Sequence, residues 1–261
     1  IFCRQDQIEQ EISNVLGAIQ EALVTYKIGY RMRLSLRDPK NTTKYLGDDS
    51  VWETSQNIMR SLLQFKGVEF WEAEGEAAFY GPKIDIMAVD ALEREWQIST
   101  IQLDFNMPTR FQLTYVASDG TDQTPVMIHR ALIGSPDRFL GVLIEHYAGA
   151  FPAWMAPVQV AVIPVGEDFT SASRTLRDQF VAAGVRCDLR DQNESVGYKI
   201  SATSKEKIPY VIVVGEREAP ASGKWDDATQ LSIRIRGQEQ LFVTSLGEFL
   251  KKIQEEIAER K

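Results

Sequence analysis

The amino-acid pattern changes at a short segment bracketed by two prolines, residues 151–157 (FPAWMAP). Before this segment, strand-like stretches follow one another with polar turns between them, and this succession favours an antiparallel sheet. After it, apolar strands alternate with amphipathic helices, which predicts a small α/β domain with a mixed sheet. We therefore predict two domains: an α+β domain over residues 1–156 and an α/β domain over residues 157–261.

In the first half, residues 5–27 and 50–64 place apolar side chains at helical spacing. A third helix is predicted from Pro136 to about residue 148, because proline suits a first helical turn. The strands of this half are predicted at 83–89, 95–105, 110–116 and 125–131.

In the second half, a nearly continuous apolar run at 158–165 is typical of a strand that is covered on both faces. Ser245 and Glu248 have the spacing of a capping box at the start of a terminal helix. Helices are predicted at 168–183, 196–205 and 245–260, and strands at 158–165, 185–189, 209–214, 231–236 and 240–243.

Composition excludes several classes of protein. With 29 basic and 37 acidic residues the net charge is -8, so the chain is not a bulk polycation for nucleic acid. No apolar run approaches the ~18 residues of a transmembrane helix. Cys3 and Cys187 lie far apart in sequence and form no disulfide framework, which fits a reduced, cytoplasmic setting. The first residue is Ile1, and we expect the sequence to be a piece of a longer protein or a trimmed one.

The charge is unevenly distributed along the chain. Residues 1–156 carry almost all of the excess negative charge, and residues 157–261 are nearly neutral. A local RNA-binding face is therefore compatible with the second half. Its basic residues are concentrated in one window: Arg190, Lys199, Lys205, Lys207, Arg217, Arg234 and Arg236.

Two polar patterns in the first half suggest a ligand site. In FYGPK, Tyr80 and Lys83 flank a Gly-Pro turn and can point into a cleft, although a plain hairpin turn with a solvated lysine is the simpler interpretation. In the next strand, Thr100 and Gln102 share a face, and Gln97 lies on the other face unless a bulge intervenes. These side chains either bind a polar ligand or bond to neighbouring strands.

His129 and Arg138 are weaker candidates when taken alone. A lone histidine in an apolar strand is more often a packed core residue than a metal ligand, and no H-x-x-x-H or C-x-x-C spacing completes a zinc site. Arg138 follows Gly-Ser-Pro-Asp at a helix start, where an anion can bind, but an Asp-Arg pair on the helix surface explains it equally well. The sequence contains no P-loop and no G-x-G-x-x-G.

Four segments, read together, closely resemble the threonyl-tRNA synthetase family in order and spacing. They are AFYGPKI (78–84), QISTIQLDF (97–105), VMIHRALIGSPDR (126–138) and YAGAFPAWMAPVQV (147–160). The resemblance extends from Ile1 to Lys261. It implies a partial class II synthetase catalytic domain, from the end of motif 2 through motif 3, followed by an anticodon-binding domain.

The resemblance also implies an activity: activation of threonine with ATP to threonyl-adenylate and its transfer to the 3′ end of threonine tRNA. The implied cofactors are Zn2+ and the Mg2+ that accompanies ATP. The implied residues are Arg138 and Lys83 for catalysis, Tyr80, Gln97, Thr100, Gln102 and Arg138 for the substrates, His129 for zinc, and Asn193, Lys207, Glu218 and Arg234 for the anticodon.

The match is incomplete at several points. The family's other zinc ligands, a distant cysteine and a histidine immediately before the position of Ile1, lie outside the chain, as do motif 1 and the motif 2 arginine. Lys207 stands where the family often has arginine, which weakens a bidentate contact. We expect a cytoplasmic protein that is a homodimer at full length, and no adenylate formation by these 261 residues alone. The alternative is a non-catalytic RNA-binding or regulatory module, against which the intact substrate positions argue.

Overall fold

The computed structural model describes residues 1–90, 92–220 and 224–261. They form two compact units, Ile1–His146 and Tyr147–Lys261. Among the described residues, no helix has the length and apolar character needed to cross a lipid bilayer. Both cysteines are free thiols, and burial raises the pKa of Cys187 to about 12, so this side chain stays protonated.

The division between the units lies ten residues before the boundary at 156 that the prolines suggested. Residues 147–156 pack with the second unit because its side chains bind their backbone carbonyls. Arg186 donates to the carbonyl of Trp154 at 2.8 Å. Arg236 donates to the carbonyls of Ala150 at 3.0 Å and Phe151 at 2.8 Å. These bonds attach the segment to the second unit.

The first unit contains a six-stranded sheet in the order β1-β8-β5-β4-β2-β3. The pairs described in this sheet are antiparallel apart from the parallel pair β2–β3, as predicted for the class II type of sheet. Two short strands, β6 and β7, pair separately. The elements are β1 Phe2–Cys3, α1 Ile8–Tyr26, β2 Tyr30–Leu36, α2 Asp49–Phe65, β3 Phe70–Glu74, β4 Lys83–Val89, β5 Glu95–Asp104, α3 Asn106–Arg110, β6 Tyr115–Val116, β7 Asp122–Gln123, β8 Val126–Ala131 and α4 Pro136–His146.

One face of this sheet is apolar and is covered by helices. Leu34, Ile84 and Ile101 face one another across β2, β4 and β5, and all three are fully buried. Helix α1 lies against β5 and β8, and α2 lies against β2. Because successive side chains of a strand alternate between faces, the intervening polar residues are directed to the opposite side of the sheet.

Two differences from the sequence prediction concern strands. The prediction assigned no strand to Tyr30–Leu36 or Phe70–Glu74, yet both belong to the main sheet. The strand predicted at 110–116 is wrong for most of its length, since α3 ends at Arg110 and only Tyr115–Val116 is extended. Backbone N–H groups at the start of α3 are capped by Asp104, which turns the chain into a helix there.

The second unit has a five-stranded mixed sheet in the order β10-β9-β11-β12-β13, which confirms the predicted fold class. Strand β9 is parallel to β10 and β11, whereas β12 is antiparallel to β11 and β13. The elements are β9 Val160–Pro164, α5 Thr170–Ala182, β10 Cys187–Leu189, α6 Val196–Lys205, β11 Tyr210–Val214, β12 Gln230–Ile235, β13 Phe242–Ser245 and α7 Leu246–Ala258.

The apolar run of β9 is buried on both faces, as predicted. Val160 and Val162 belong to a large core with Phe180 and Phe249, whose ring centroids are 5.8 Å apart. Ala161 and its neighbours on the other face join a smaller cluster. Coverage on both sides explains why this strand lacks the alternation of a half-exposed one.

A glycine packed against a backbone carbonyl allows a direct test of the first unit. A Cβ at Gly81 would overlap the carbonyl oxygen of Leu103 in β5. We predict that Gly81→Ala lowers the free energy of unfolding by about 1–3 kcal/mol, as overpacking does. Gly17→Ala is the matched control: Gly17 is exposed in α1 with no atom near its Cβ position, and helix propensity should raise stability by about 1 kcal/mol. Urea unfolding followed by circular dichroism measures both, and an equally stable Gly81→Ala variant would contradict the packing described.

Candidate functional site

The face of the first unit's sheet opposite the helices, called the polar face below, carries two rows of cross-strand neighbours. Antiparallel partners share a face, so each row lies side by side on the same surface. The first row is Arg33, Asp85, Thr100 and Ala131, and the second is Ser35, Lys83, Gln102 and His129. The two rows bring together Lys83, Thr100, Gln102 and His129. These four residues lie on three strands and were proposed from the sequence or from the family resemblance.

A β-bulge adds Gln97 to this face. The pairing of β4 with β5 shifts between Ile86 and Met87, so that Gln97 lies opposite Met87. Strict alternation would place Gln97 and Thr100 on opposite faces, and the extra residue in β5 cancels that difference. As a result, the Nε2 atom of Gln97 donates to Oδ1 of Asp85 at 2.8 Å.

Asp85 is the centre of the face and is fully buried. Its Oδ2 accepts from the hydroxyl of Ser35 at 2.7 Å and from Nη2 of Arg33 at 3.1 Å, and lies 3.2 Å from Nζ of Lys83. Its Oδ1 accepts from the hydroxyl of Thr100 at 2.9 Å. Two cations and several neutral donors thus compensate a carboxylate that water does not reach.

Tyr80 is connected to Asp85 through three hydrogen bonds, the last of which is the bond from Thr100. The Tyr80 hydroxyl donates to Oε1 of Gln102, whose Nε2 donates to Oγ1 of Thr100 at 3.4 Å. Burial, with a smaller contribution from the Asp104 carboxylate, raises the pKa of the Tyr80 phenol above its ordinary value. The phenol therefore remains protonated at neutral pH and acts as a donor.

His129 is half-exposed at the other end of the face. Its ring centroid lies 4.9 Å from that of Tyr80, and its Nε2 is 2.9 Å from Oδ2 of Asp104. The second oxygen of Asp104 accepts from the backbone N–H groups of Asn106 and Met107, each at 2.9 Å. This carboxylate is fully buried and fixes the orientation of the imidazole.

The surroundings of His129 fit one ligand of a metal site. Metal-binding histidines commonly donate their second ring nitrogen to a carboxylate, and Asp104 occupies that position, which leaves Nδ1 as the ligating atom. The described residues contain no group of three His, Cys, Asp or Glu side chains that could hold a metal. Ile1 pairs with Ile128, so a residue preceding Ile1 in an extended strand would lie opposite His129.

Arg138 lies beside the same face, at the start of α4. The side chain is exposed, and its Nη1 donates to the backbone carbonyl of Gln97 at 3.4 Å. The hydroxyl of Ser135 accepts from the backbone N–H of Arg138 at 3.4 Å, which places the arginine in the first helical turn. With Lys83, this gives two cations along a surface of neutral donors and acceptors, an arrangement suited to a phosphate-bearing ligand that also has hydroxyl or amino groups.

In the second unit, the four residues assigned to RNA lie at two ends of the sheet. Asn193 and Glu218 follow the carboxyl ends of β10 and β11. Arg234 is exposed on β12 opposite Val211, near the amino end of β11, and lines a pocket of about 290 Å3 with Thr203.

Lys207 has a contact that the sequence did not predict. Its Nζ donates to the backbone carbonyl of Ala148, and its own carbonyl accepts from Nη1 of Arg236 at 2.5 Å. Lys207 has φ 57°, in the left-handed region, directly after α6. Within the second unit this lysine therefore helps to hold residues 147–156.

Three residues of the site were missed from the sequence: Arg33, Asp85 and Asp104. Asp85 stands two positions after Lys83 in the same strand, so the alternation that places Lys83 on the polar face also places Asp85 there. Asp104 follows Gln102 by the same spacing. Arg33 belongs to β2, whose alternating Met32, Leu34 and Leu36 are buried. For each of the three residues, the alternation of side chains along its strand predicts a position on the polar face.

Comparison with known families agrees with the two units. Residues 1–147 match the tRNA synthetase class II core domain (G, H, P, S and T), and residues 159–256 match the anticodon binding domain. The first match covers more than half of the chain.

Curated relatives and a solved structure are similar over nearly the whole chain. The threonine–tRNA ligase of Lactiplantibacillus plantarum is 44% identical over 98% of this chain and 38% of its own length. That of Rubrobacter xylanophilus is 41% identical over 100% of this chain and 40% of its own length. A crystal structure of the RNA binding domain of threonyl-tRNA synthetase from Cryptosporidium parvum is 30% identical, with a TM-score of 0.87 over 97% of this chain and 62% of that one.

The chain thus spans about 40% of the length of the curated relatives that it matches. The TM-score shows that the solved structure has the same fold as the one described above. The chain belongs to the family of class II tRNA synthetase core domains, here joined to an anticodon-binding domain.

Proposed function

We propose that this chain is the C-terminal portion of a threonine–tRNA ligase, which activates threonine with ATP and transfers it to the 3′ end of threonine tRNA. The observation that carries the proposal is the polar face of the first unit. Residues from three strands, the turn before β4 and a helix start converge there: Tyr80, Lys83, Gln97, Thr100, Gln102, His129 and Arg138. The identity to curated threonine–tRNA ligases supports the choice of amino acid.

In this proposal the cations act on the nucleotide. Arg138 binds a phosphate of ATP, bound with Mg2+, and stabilises the negative charge that develops as pyrophosphate leaves. Lys83 supplies a second positive charge at the same face, partly offset by Asp85. Gln97 and Thr100 contact the nucleotide, and Tyr80 and Gln102 contact the amino acid.

His129 would supply one ligand of a zinc ion, which would bind the hydroxyl and amine of threonine. The zinc would coordinate the substrate hydroxyl and so discriminate against valine, which lacks that group. Asp104 holds the imidazole with Nδ1 directed away from the carboxylate. The remaining ligands belong to parts of the protein outside this chain.

The second unit recognises the anticodon through Asn193, Lys207, Glu218 and Arg234. Arg234 is the best supported of these because it is exposed and borders a pocket. The whole protein is proposed to be a homodimer of the cytoplasm, where its tRNA is charged.

Exchange of ATP with pyrophosphate tests the catalytic proposal. The chain is fused to the N-terminal part of the Lactiplantibacillus plantarum relative, and threonine, serine and valine are compared as substrates. We predict exchange that depends on threonine and is not supported by valine. Arg138→Ala should lower its rate about 100-fold or more, the usual cost of losing one group that stabilises developing charge.

The control for Arg138→Ala is Arg60→Ala in α2, whose guanidinium pairs with Glu72 outside the polar face. Its exchange rate should match that of the unsubstituted fusion. A folded fusion that shows no exchange with threonine, or an Arg138→Ala variant that keeps full activity, contradicts the proposal.

Binding of threonine tRNA tests the second unit in the 261-residue chain itself. Arg234→Ala and Lys207→Ala should each weaken binding about tenfold, in line with the ~1–3 kcal/mol typical of one arginine contact to nucleic acid. Lys251→Ala is the control, because Lys251 is exposed on α7 and pairs loosely with Glu255. Filter binding at fixed salt measures the affinities, and equal affinity of Arg234→Ala and Lys251→Ala would reject the anticodon assignment.

A further inference from the structure

The strongest feature that the proposed function leaves unexplained is the buried carboxylate of Asp85. It lies beneath the polar face and is fully buried, so it does not itself meet a ligand. Its partners nevertheless include three of the residues assigned to substrates or catalysis: Lys83, Gln97 and Thr100. A group that holds three contact residues at once controls their geometry.

The hydrogen bonds described around Asp85 all run toward its carboxylate, which accepts them. Tyr80 donates to Gln102, Gln102 donates to Thr100, and Thr100 donates to the carboxylate. Gln97 donates to the same carboxylate oxygen as Thr100. An ionised carboxylate only accepts, so it forces each of these groups to turn a donor inward.

The donors that point toward Asp85 determine which atoms of the polar face are directed toward a ligand. One N–H of Nε2 of Gln97 is directed at Asp85, which fixes the orientation of the amide and so the position at which its oxygen Oε1 can accept from a ligand. An amide oxygen accepts and does not donate. A ligand group that meets Oε1 of Gln97 must therefore be a donor, such as a hydroxyl or an amine.

We propose that Asp85 is the positioning residue of the substrate face: it orients the amide of Gln97 and the hydroxyl of Thr100 so that they accept hydrogen bonds from a nucleotide hydroxyl or amine. This inference rests on the proposed function for the identity of the ligand. The orientation itself depends on the described contacts alone. Arg33 and Lys83 balance the buried charge and are held in place by it.

Asp85→Asn separates positioning from packing because the two side chains have nearly the same shape. Asparagine accepts through one oxygen and brings two donors of its own, so it cannot accept from Gln97, Thr100 and Ser35 together. The matched control is Asp90→Asn. Asp90 is also buried, follows the same strand, and accepts from Arg94 and Trp96 away from the polar face.

The first measurement is the nitrogen–proton NMR spectrum of the side-chain amides in the 261-residue chain. We expect the Gln97 and Gln102 signals to shift and to exchange faster with water in Asp85→Asn and to be unchanged in Asp90→Asn. Unchanged Gln97 signals in a folded Asp85→Asn protein would overturn the inference, whatever the chain binds.

The second measurement is the affinity for ATP with Mg2+, by titration of the same variants in the fusion to the N-terminal part of the Lactiplantibacillus plantarum relative. Asp85→Asn should bind about tenfold more weakly than Asp90→Asn, the size expected when hydrogen bonds linked to a charged group are lost. Thr100→Val should weaken ATP binding less in the Asp85→Asn background than it does alone, because both substitutions remove the same hydrogen bond. Equal affinities of the two Asn variants would overturn the inference. Failure of the unsubstituted fusion to bind ATP would instead count against the proposed function, and the amide spectra would then decide the positioning role.

Discussion

The pairing of β4 with β5 is the interaction on which the rest of the first unit depends. Its register sets Ile84 against Ile101 on the buried face and Asp85 against Thr100 on the polar face. A slip of one residue would exchange the two faces and expose the core. The bulge near Met87 is an exception to this alternation. It shifts the pairing at one end of β5 and leaves Ile84 paired with Ile101.

Elements with one strong local signal were predictable from the sequence. The apolar spacing of α1, the capping box at Ser245 and the apolar run of β9 are all present in the structure. The prediction failed where a side chain that binds the backbone decides the conformation. Asp104 caps α3, which ends at Arg110 where a strand was predicted to begin, and residues 147–156 join the second unit through Arg186 and Arg236.

The candidate site also has features that could be predicted from the sequence and features that could not. Family resemblance implied roles for Tyr80, Gln102 and His129, and the structure brings these three side chains together, while their roles stay predictions. The face occupied by Gln97 depends on a bulge that alternation does not reveal. The central position of Asp85 arises from donors on three strands, and no linear pattern reports such a convergence.

Asp104 has a consequence for how this region can evolve. One of its oxygens orients His129 and the other caps the backbone at the start of α3, so the same carboxylate serves ligand geometry and local folding. Replacing it would be penalised through folding even in a descendant that no longer needed the histidine. Persistence of this aspartate across a lineage would therefore be poor evidence of retained catalysis, whereas loss of His129 beside an intact Asp104 would mark a protein that kept the fold and abandoned the chemistry.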